Sequence, residues 1–370
     1  MKYYNNAIFR IACVGDIMPG GILHNKESKF IDSDVSNYLL HADIRVGTLE
    51  CAIGDEMAFD PEKMSRKQDI VYSPNADLKR LKEINIDVVS IANNHIYDLG
   101  YEGLKNTIKQ LEYLNIKHCG AGANLEEASR PAVVNLYGKS LAFIGFCDYR
   151  DETVGYVPFA EINKPGINPL YDEYVLSEIK KYKKIYDYVF VIPHWGYEHT
   201  YLPAPEVWNL SKRMIEAGAD GILGGHTHRI QPICRLKEKY VIYSLGNFMF
   251  FDRYINTPRP TYYPSSTENT ENYPITYAYP YVKEPTLKLW PYLARIGMIA
   301  KLSIGTDVKC EFKPTFLGKD NCIRFYTMQE FKKINKKLAL VGWLLKTPFY
   351  PAFCYSYRHV MRIYNILKRR

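Results

Sequence analysis

The chain has 370 residues, 47% of them apolar and 24% charged, enough to bury a sizeable core in one large or two medium domains. That balance excludes a largely disordered chain, and no run approaches the roughly eighteen apolar residues of a membrane-spanning helix. The net charge of +8 belongs to one end: residues 331–370 hold ten Lys or Arg and no Asp or Glu, leaving 38 basic against 40 acidic side chains elsewhere.

Eight cysteines are scattered without a C-x-x-C pair, and Cys13 and Cys147 lie inside apolar runs. Reduced thiols in a cytosolic setting are expected rather than a disulfide framework. The opening residues lead into a strand-like run without an apolar leader, so no secretory signal is expected.

In chain order, residues 11–14 and 44–49 read as short buried strands that give way to Asp16 and Glu50. Segment 74–85 reads as helix, and 88–92 as a strand ending at Asn93, Asn94 and His95, with Asp98 and Gly100 close behind. In 102–115, Leu104, Ile108, Leu111 and Leu114 recur every three or four residues, one face of a helix. Strands follow at 132–136 and 141–146, turning at Gly138, then at 189–193, which gives out into His194. A helix at 204–217 precedes the strand 221–225, which runs into His226 and His228. Beyond it come strands at 240–245 and 297–304 and extended chain at 309–316. The alternation predicts a layered α/β (α+β) architecture, parallel at first and mixed later.

In open α/β sheets ligands bind outside the carboxyl ends of strands, where these side chains collect. Asp16, Glu50, Asn94, His194, His226 and His228 are the mixture of carboxylate, amide and imidazole that holds a pair of divalent cations. If 226–228 is extended, His226 and His228 project to one side, with Gly224 and Gly225 allowing close backbone approach. Asp98 is placed to orient His95 as a proton donor to a leaving group. Each residue has a plainer role when taken alone: acidic residues after strands cap helices, asparagines form turns, and a lone histidine packs. Asn93, Glu198, Arg229, Gln231 and Asn247 are candidates for touching substrate. His24, His118, His199 and His359 have no supporting context. Gly120 and Gly122 lack the third glycine of a dinucleotide fingerprint, and no serine elbow is present.

The ordered set Gly15-Asp16-Ile17-Met18, Thr48-Leu49-Glu50, Ala92-Asn93-Asn94-His95, His194-Trp195-Gly196-Tyr197-Glu198, Gly224-Gly225-His226-Thr227-His228 and Tyr243-Ser244-Leu245-Gly246-Asn247-Phe248 resembles the CapA family of bacterial capsule and poly-γ-glutamate synthesis proteins. That family is similar to the calcineurin-like metallophosphoesterases, and the resemblance implies a four-layer α-β-β-α sandwich over residues 8–320. It implies metal ligation by Asp16, a bridging Glu50, Asn94, His194, His226 and His228, with one or two divalent ions (Mn, Fe or Zn), and proton donation by His95. One departure stands out: phosphoesterases carry Asp-x-His where this chain has Asp16-Ile17-Met18. A thioether is a poor ligand for a hard cation, so one metal position is a ligand short. CapA relatives commonly share the substitution.

The expected activity is hydrolysis of a phosphoester or amide bond in synthesis or trimming of a cell-surface polymer or its precursor. The competing reading is a non-catalytic scaffold or polymer-binding component of a capsule-synthesis complex.

Two segments stand apart. Residues 254–292 hold eight Tyr and seven Pro, which suits a surface loop packed by its own aromatics or a lid over the site. In the tail, 327–370, Thr327-Met328-Gln329-Glu330 has the form of a capping box. Phe331, Ile334, Leu338, Val341 and Leu345 then share a helical face. Pro348 and Pro351 interrupt before a second basic amphipathic stretch. The tail reads either as a helix pair packed on the domain or as a peripheral attachment to an anionic inner-membrane face. In the latter each basic residue contributes roughly 1 kcal/mol. Nucleic acid is not an expected partner, because no recognised module accompanies the charge.

Overall fold

The computed structural model describes residues 7–54, 71–148, 157–255 and 286–368. Two larger sheets organise them. The first has the order Ile323–Phe325, Lys309–Leu317, Ile296–Gly305, Ala7–Met18, Ile44–Leu49, Val88–Ser90, Lys117–Cys119, with Asn247–Phe250 also pairing with Ala7–Met18. The second runs Ile233–Leu236, Lys239–Ile242, Gly221–Leu223, Tyr188–His194, Lys139–Cys147, Ala132–Leu136. Parallel pairing joins Ala7–Met18 to its neighbours as far as Lys117–Cys119, and joins the four inner strands of the second sheet. Antiparallel strands extend the other side of the first sheet and close both edges of the second. The chain is therefore a mixed α/β protein, with parallel pairing on one side of the first sheet and at the centre of the second.

Alternation along each strand explains the layering. Ile11 and Cys13 join Leu141, Phe143 and Phe190 in one buried cluster between the sheets, where Phe143 and Phe190 stack at 5.3 Å. Ala12 and Val14 face the other way, onto Leu39, Leu81, Leu104 and Leu111 of the helices covering the first sheet. Ala142, Ile144, Val189 and Val191 likewise meet Val175, Ile179, Leu210 and Met214 of helices Asp172–Lys183 and Pro205–Ala217. Strands covered on both faces become uninterrupted apolar runs, which is why they were legible.

Several boundaries differ from expectation. The first strand continues through Asp16 to Met18, so Asp16 lies inside a strand, where the register with both parallel neighbours shifts. Segment 74–85 is a 3₁₀ turn followed by the short helix Lys79–Glu83. The tail forms helices Met328–Leu344 and Tyr350–Lys368, and the capping box at Thr327 and Glu330 is made in both directions. Pro351 is the second residue of the latter helix, where its missing N–H costs nothing. Phe331 and Leu338 enter the cluster between the sheets, while Val341, Leu345, Tyr350 and Cys354 extend the cluster of the second sheet. Most of the aromatic-rich insert, 256–285, lies outside the described residues; its flanks, Arg253–Ile255 and Thr286–Lys288, pair antiparallel.

A buried ion pair ties the strand end after Phe250 to the segment that returns from the insert. Both oxygens of Asp252 accept from Arg295 Nη2 at 2.6 Å, and the carboxylate also accepts the Trp290 backbone N–H and the Asn321 amide. Removing one partner strands the other charge in a dry site. We expect Asp252→Ala to cost about 3–5 kcal/mol in urea unfolding, and the Asp252→Leu, Arg295→Met pair to recover most of it. Equal stability of Asp252→Ala and wild type would show that the pair does not hold this segment.

Candidate metal centre

Side chains from both sheets meet at Glu50, the residue after strand Ile44–Leu49. Its Oε1 lies 3.2 Å from His194 Nε2 and 3.7 Å from His228 Nε2. His194 ends strand Tyr188–His194, and its Nε2 is also 2.9 Å from Asn94 Oδ1 and 3.0 Å from His226 Nδ1. Three polar atoms thus crowd one ring nitrogen. That nitrogen carries at most one proton, so hydrogen bonding satisfies at most one of the three, whereas a cation among them would satisfy all.

Among the described residues two groups have ligand atoms close enough to share an ion: Glu50, His194 and His226, and Asp16, Glu50 and His228. Glu50 belongs to both, and all five residues are buried. Carboxylate and imidazole together suit Mn, Fe or Zn, so the donor set fits the divalent ion that the sequence suggested.

Local backbone explains how His226 and His228 divide between the groups. The segment is not extended: His226 has φ +94° and His228 φ +47°, conformations that β-carbon-bearing residues rarely adopt. The expectation that alternation aims both rings one way is corrected, because the left-handed turns send them to different groups. Gly225 is required here, since a Cβ on it would stand 2.5 Å from Asp16 Oδ1. Asp16 is held by the backbone N–H of His226, at 3.1 Å to Oδ2. Gly15 permits the other close approach, with its would-be Cβ 1.8 Å from the Gly246 carbonyl oxygen.

Neighbours set tautomers. Asn247 Oδ1 lies 2.8 Å from His228 Nδ1 and accepts its proton, leaving Nε2 to face Glu50; the Asn247 amide donates to the Ala294 carbonyl. Asp98 Oδ2 lies 2.8 Å from His95 Nδ1 and also accepts the Val71 N–H, so His95 turns on a fixed carboxylate. Burial pushes His194, His226 and His228 below the ordinary imidazole range, His226 to about 3, which keeps their lone pairs available. Burial pushes the Asp16 carboxyl the other way, up to about 7, against the lowering effect of the His226 N–H.

The remaining candidates separate. Asn93 is buried and fully engaged, donating to the Leu49 carbonyl and accepting the His95 N–H, so it shapes the loop. Gln231 donates to the Thr200 carbonyl. Glu198 is 38% exposed and sits 3.7 Å from His199. Arg229 is buried beside His228. Met18 is buried in the apolar cluster under the first sheet. Two neighbours of the centre had no signal in sequence: His199, whose ring is 5.7 Å from that of His228, and Trp290, whose ring is 4.9 Å from it. Trp290 reaches the centre from the far side of the insert, and only the fold brings it there.

Fold and site together define a mixed α/β protein with a buried carboxylate–imidazole cluster able to hold metal. The bacterial capsule synthesis protein PGA_cap family matches residues 10–252, and the chain belongs to it. It is 31% identical over 260 residues to the capsule biosynthesis protein CapA of Bacillus anthracis, covering 68% of this chain and 62% of that one. It is 31% identical over 255 residues to the PGA biosynthesis protein CapA of Bacillus subtilis, covering 68% and 65%. A probable polyglutamine synthesis accessory protein of Mycobacterium tuberculosis is 30% identical over 196 residues, half of each chain. The chain spans less than two thirds of the length of these relatives.

The raised Asp16 carboxyl sets a pH dependence. Metal needs the carboxylate, so a proton on Asp16 competes below about pH 7, while the histidines are already neutral there. Calorimetric titration with Zn or Mn is expected to show affinity rising with pH, by up to about tenfold per unit, and levelling above about 7. Affinity that is flat below that value would remove Asp16 from the ligand set.

Proposed function

We propose that this protein is a metal-dependent hydrolase of a phosphoester or amide bond, acting in synthesis or trimming of a capsule or other cell-surface polymer. The observation that carries this reading is Glu50 shared between two ligand groups. The paired sheets with helices on their outer faces support assignment to the four-layer metallophosphoesterase sandwich, with a unit of residues 8–320 followed by the helical tail. The names of the relatives supply the context of capsule, PGA and polyglutamine synthesis, and we take a capsule-synthesis complex as the partner.

In this reading Asp16, Glu50, Asn94, His194, His226 and His228 would hold one or two ions. When bound, these supply Lewis acidity to the scissile group and an activated water. His95, its Nδ1–H fixed on Asp98 at 2.8 Å, presents Nε2 to the leaving group and protonates it as the bond breaks. Asn247 keeps the His228 ring oriented. A scaffold reading draws on one observation: Met18 is packed in the apolar core and adds no ligand.

His95→Ala should keep its metal and lose about 10²–10⁴-fold in kcat on γ-glutamyl oligomers or phosphodiester probes, whereas His226→Ala should lose metal. Metal-loaded wild type that turns over neither substrate class would leave the scaffold.

We also propose that the protein is cytoplasmic and docks on the anionic inner membrane face through its tail. Among the described residues no helix is long and apolar enough to cross a membrane. The tail nonetheless exposes Trp343 (63%), Phe349 (78%) and Val360 (61%) within its basic sequence. Because Phe331 and Leu338 belong to the core, deleting the tail would damage the fold, and point variants are the cleaner probe. Trp343→Glu with Phe349→Glu should abolish flotation with phosphatidylglycerol vesicles while leaving the thermal transition in place. Undiminished flotation would exclude the tail as the anchor.

A further inference from the structure

Arg229 is buried to 8% exposure one residue after a candidate ligand, yet no carboxylate pairs with it among the described residues. Among the described residues its guanidinium makes one long hydrogen bond, 3.5 Å from Nη1 to the carbonyl oxygen of its neighbour His228. Two other buried arginines are paired with carboxylates: Arg80 with Asp77, beside two backbone carbonyls, and Arg295 with Asp252. A desolvated guanidinium without an anion is costly, and the cost is offset when an anion arrives.

The surroundings point the same way. Arg229 and Lys288 both act on His199 which, after the effect of burial, they help hold down to about 4. Lys288 lies 5.6 Å and the Arg253 guanidinium 5.3 Å from the centre of the Trp290 ring. The Trp290 indole N–H is buried without an acceptor among the described residues, and its ring packs 4.9 Å from that of His228. Glu198, 3.7 Å from His199 and 38% exposed, is the carboxylate at the edge of this patch. Asp252 is committed to Arg295.

We propose that Arg229, Lys288 and the Trp290 indole form an oxyanion subsite beside the metal centre that takes a carboxylate or phosphate group carried by the substrate. The guanidinium supplies a planar pair of donors, the ammonium adds charge, and the indole N–H contributes one more donor. The subsite rests on the reading of Asp16, Glu50 and the three histidines as the reaction centre, and it makes acidity of the substrate the property that is selected.

The test measures binding by calorimetry on the metal-loaded full chain. The probes are a γ-linked glutamate oligomer, the same oligomer with its side-chain carboxylates amidated, and inorganic phosphate. Wild type should bind the acidic oligomer, phosphate or both, and should prefer the acidic to the amidated oligomer where the carboxylate is the ligand. Arg229→Met should weaken the acidic probe by about ten- to hundredfold, with metal content and binding of the amidated oligomer unchanged. Arg229→Lys should fall between, and Trp290→Phe should weaken the same probe while keeping the ring. Arg229-dependent binding of phosphate alone would assign the subsite to a phosphate-bearing substrate, and of the acidic oligomer alone to a carboxylate-bearing one. Arg229→Met that binds both acidic probes as wild type does would overturn the proposal. Binding needs no turnover, so a protein that binds through Arg229 but cleaves nothing would sink the hydrolase reading alone. Cleavage at wild-type KM in Arg229→Met would sink the subsite alone.

Discussion

Everything around the centre follows from burying Asp16 and Glu50 among three imidazoles that are themselves kept neutral. Two carboxylates without water need positive charge, and the histidines cannot supply it because burial lowers their basicity. The Asp16 carboxyl, raised by burial, and the crowding of three polar atoms around His194 Nε2 both suit a cluster that could hold a cation. A cluster of buried polar groups is costly to fold, and the surrounding structure has to hold it together.

That holding is done by backbone. His226 and His228 sit in left-handed conformations, Gly225 leaves room for Asp16, and Gly15 lets the first strand pass close to Gly246. The two histidine conformations are locally unfavourable and persist because layers of close-packed apolar side chains fix the strand ends on either side. The Asp252–Arg295 pair belongs to the same device, since it anchors the backbone of Trp290, whose ring covers His228.

The tail packs against the domain with one face and leaves another outward. Phe331, Leu338, Val341 and Leu345 satisfy the apolar clusters, and Tyr350 donates to the Pro203 carbonyl at 2.5 Å. Arg358 lies over the Tyr197 ring and Lys337 over Tyr201, so part of the positive charge is spent on the domain. What remains outward is aromatic and basic together, which a solvated helix face has no need to be.

The strands and the candidate residues were legible in sequence because doubly covered strands are unbroken apolar runs, and because Glu50, His194 and the glycine pair before His226 mark their ends. The helix 102–115 was legible from its period, and the capping box from four consecutive residues. Short-range chemistry decides such features, so the sequence by itself determined them. Tertiary structure alone decided which strand lies beside which, that Asp16 sits inside its strand at a register shift, and that His226 and His228 serve different groups. It also brought His199 and Trp290 to the centre and buried Arg229 with no paired carboxylate among the described residues. The physical reason is the same in each case: these facts depend on contacts between residues tens to hundreds of positions apart, and on a backbone conformation that side-chain identity does not announce.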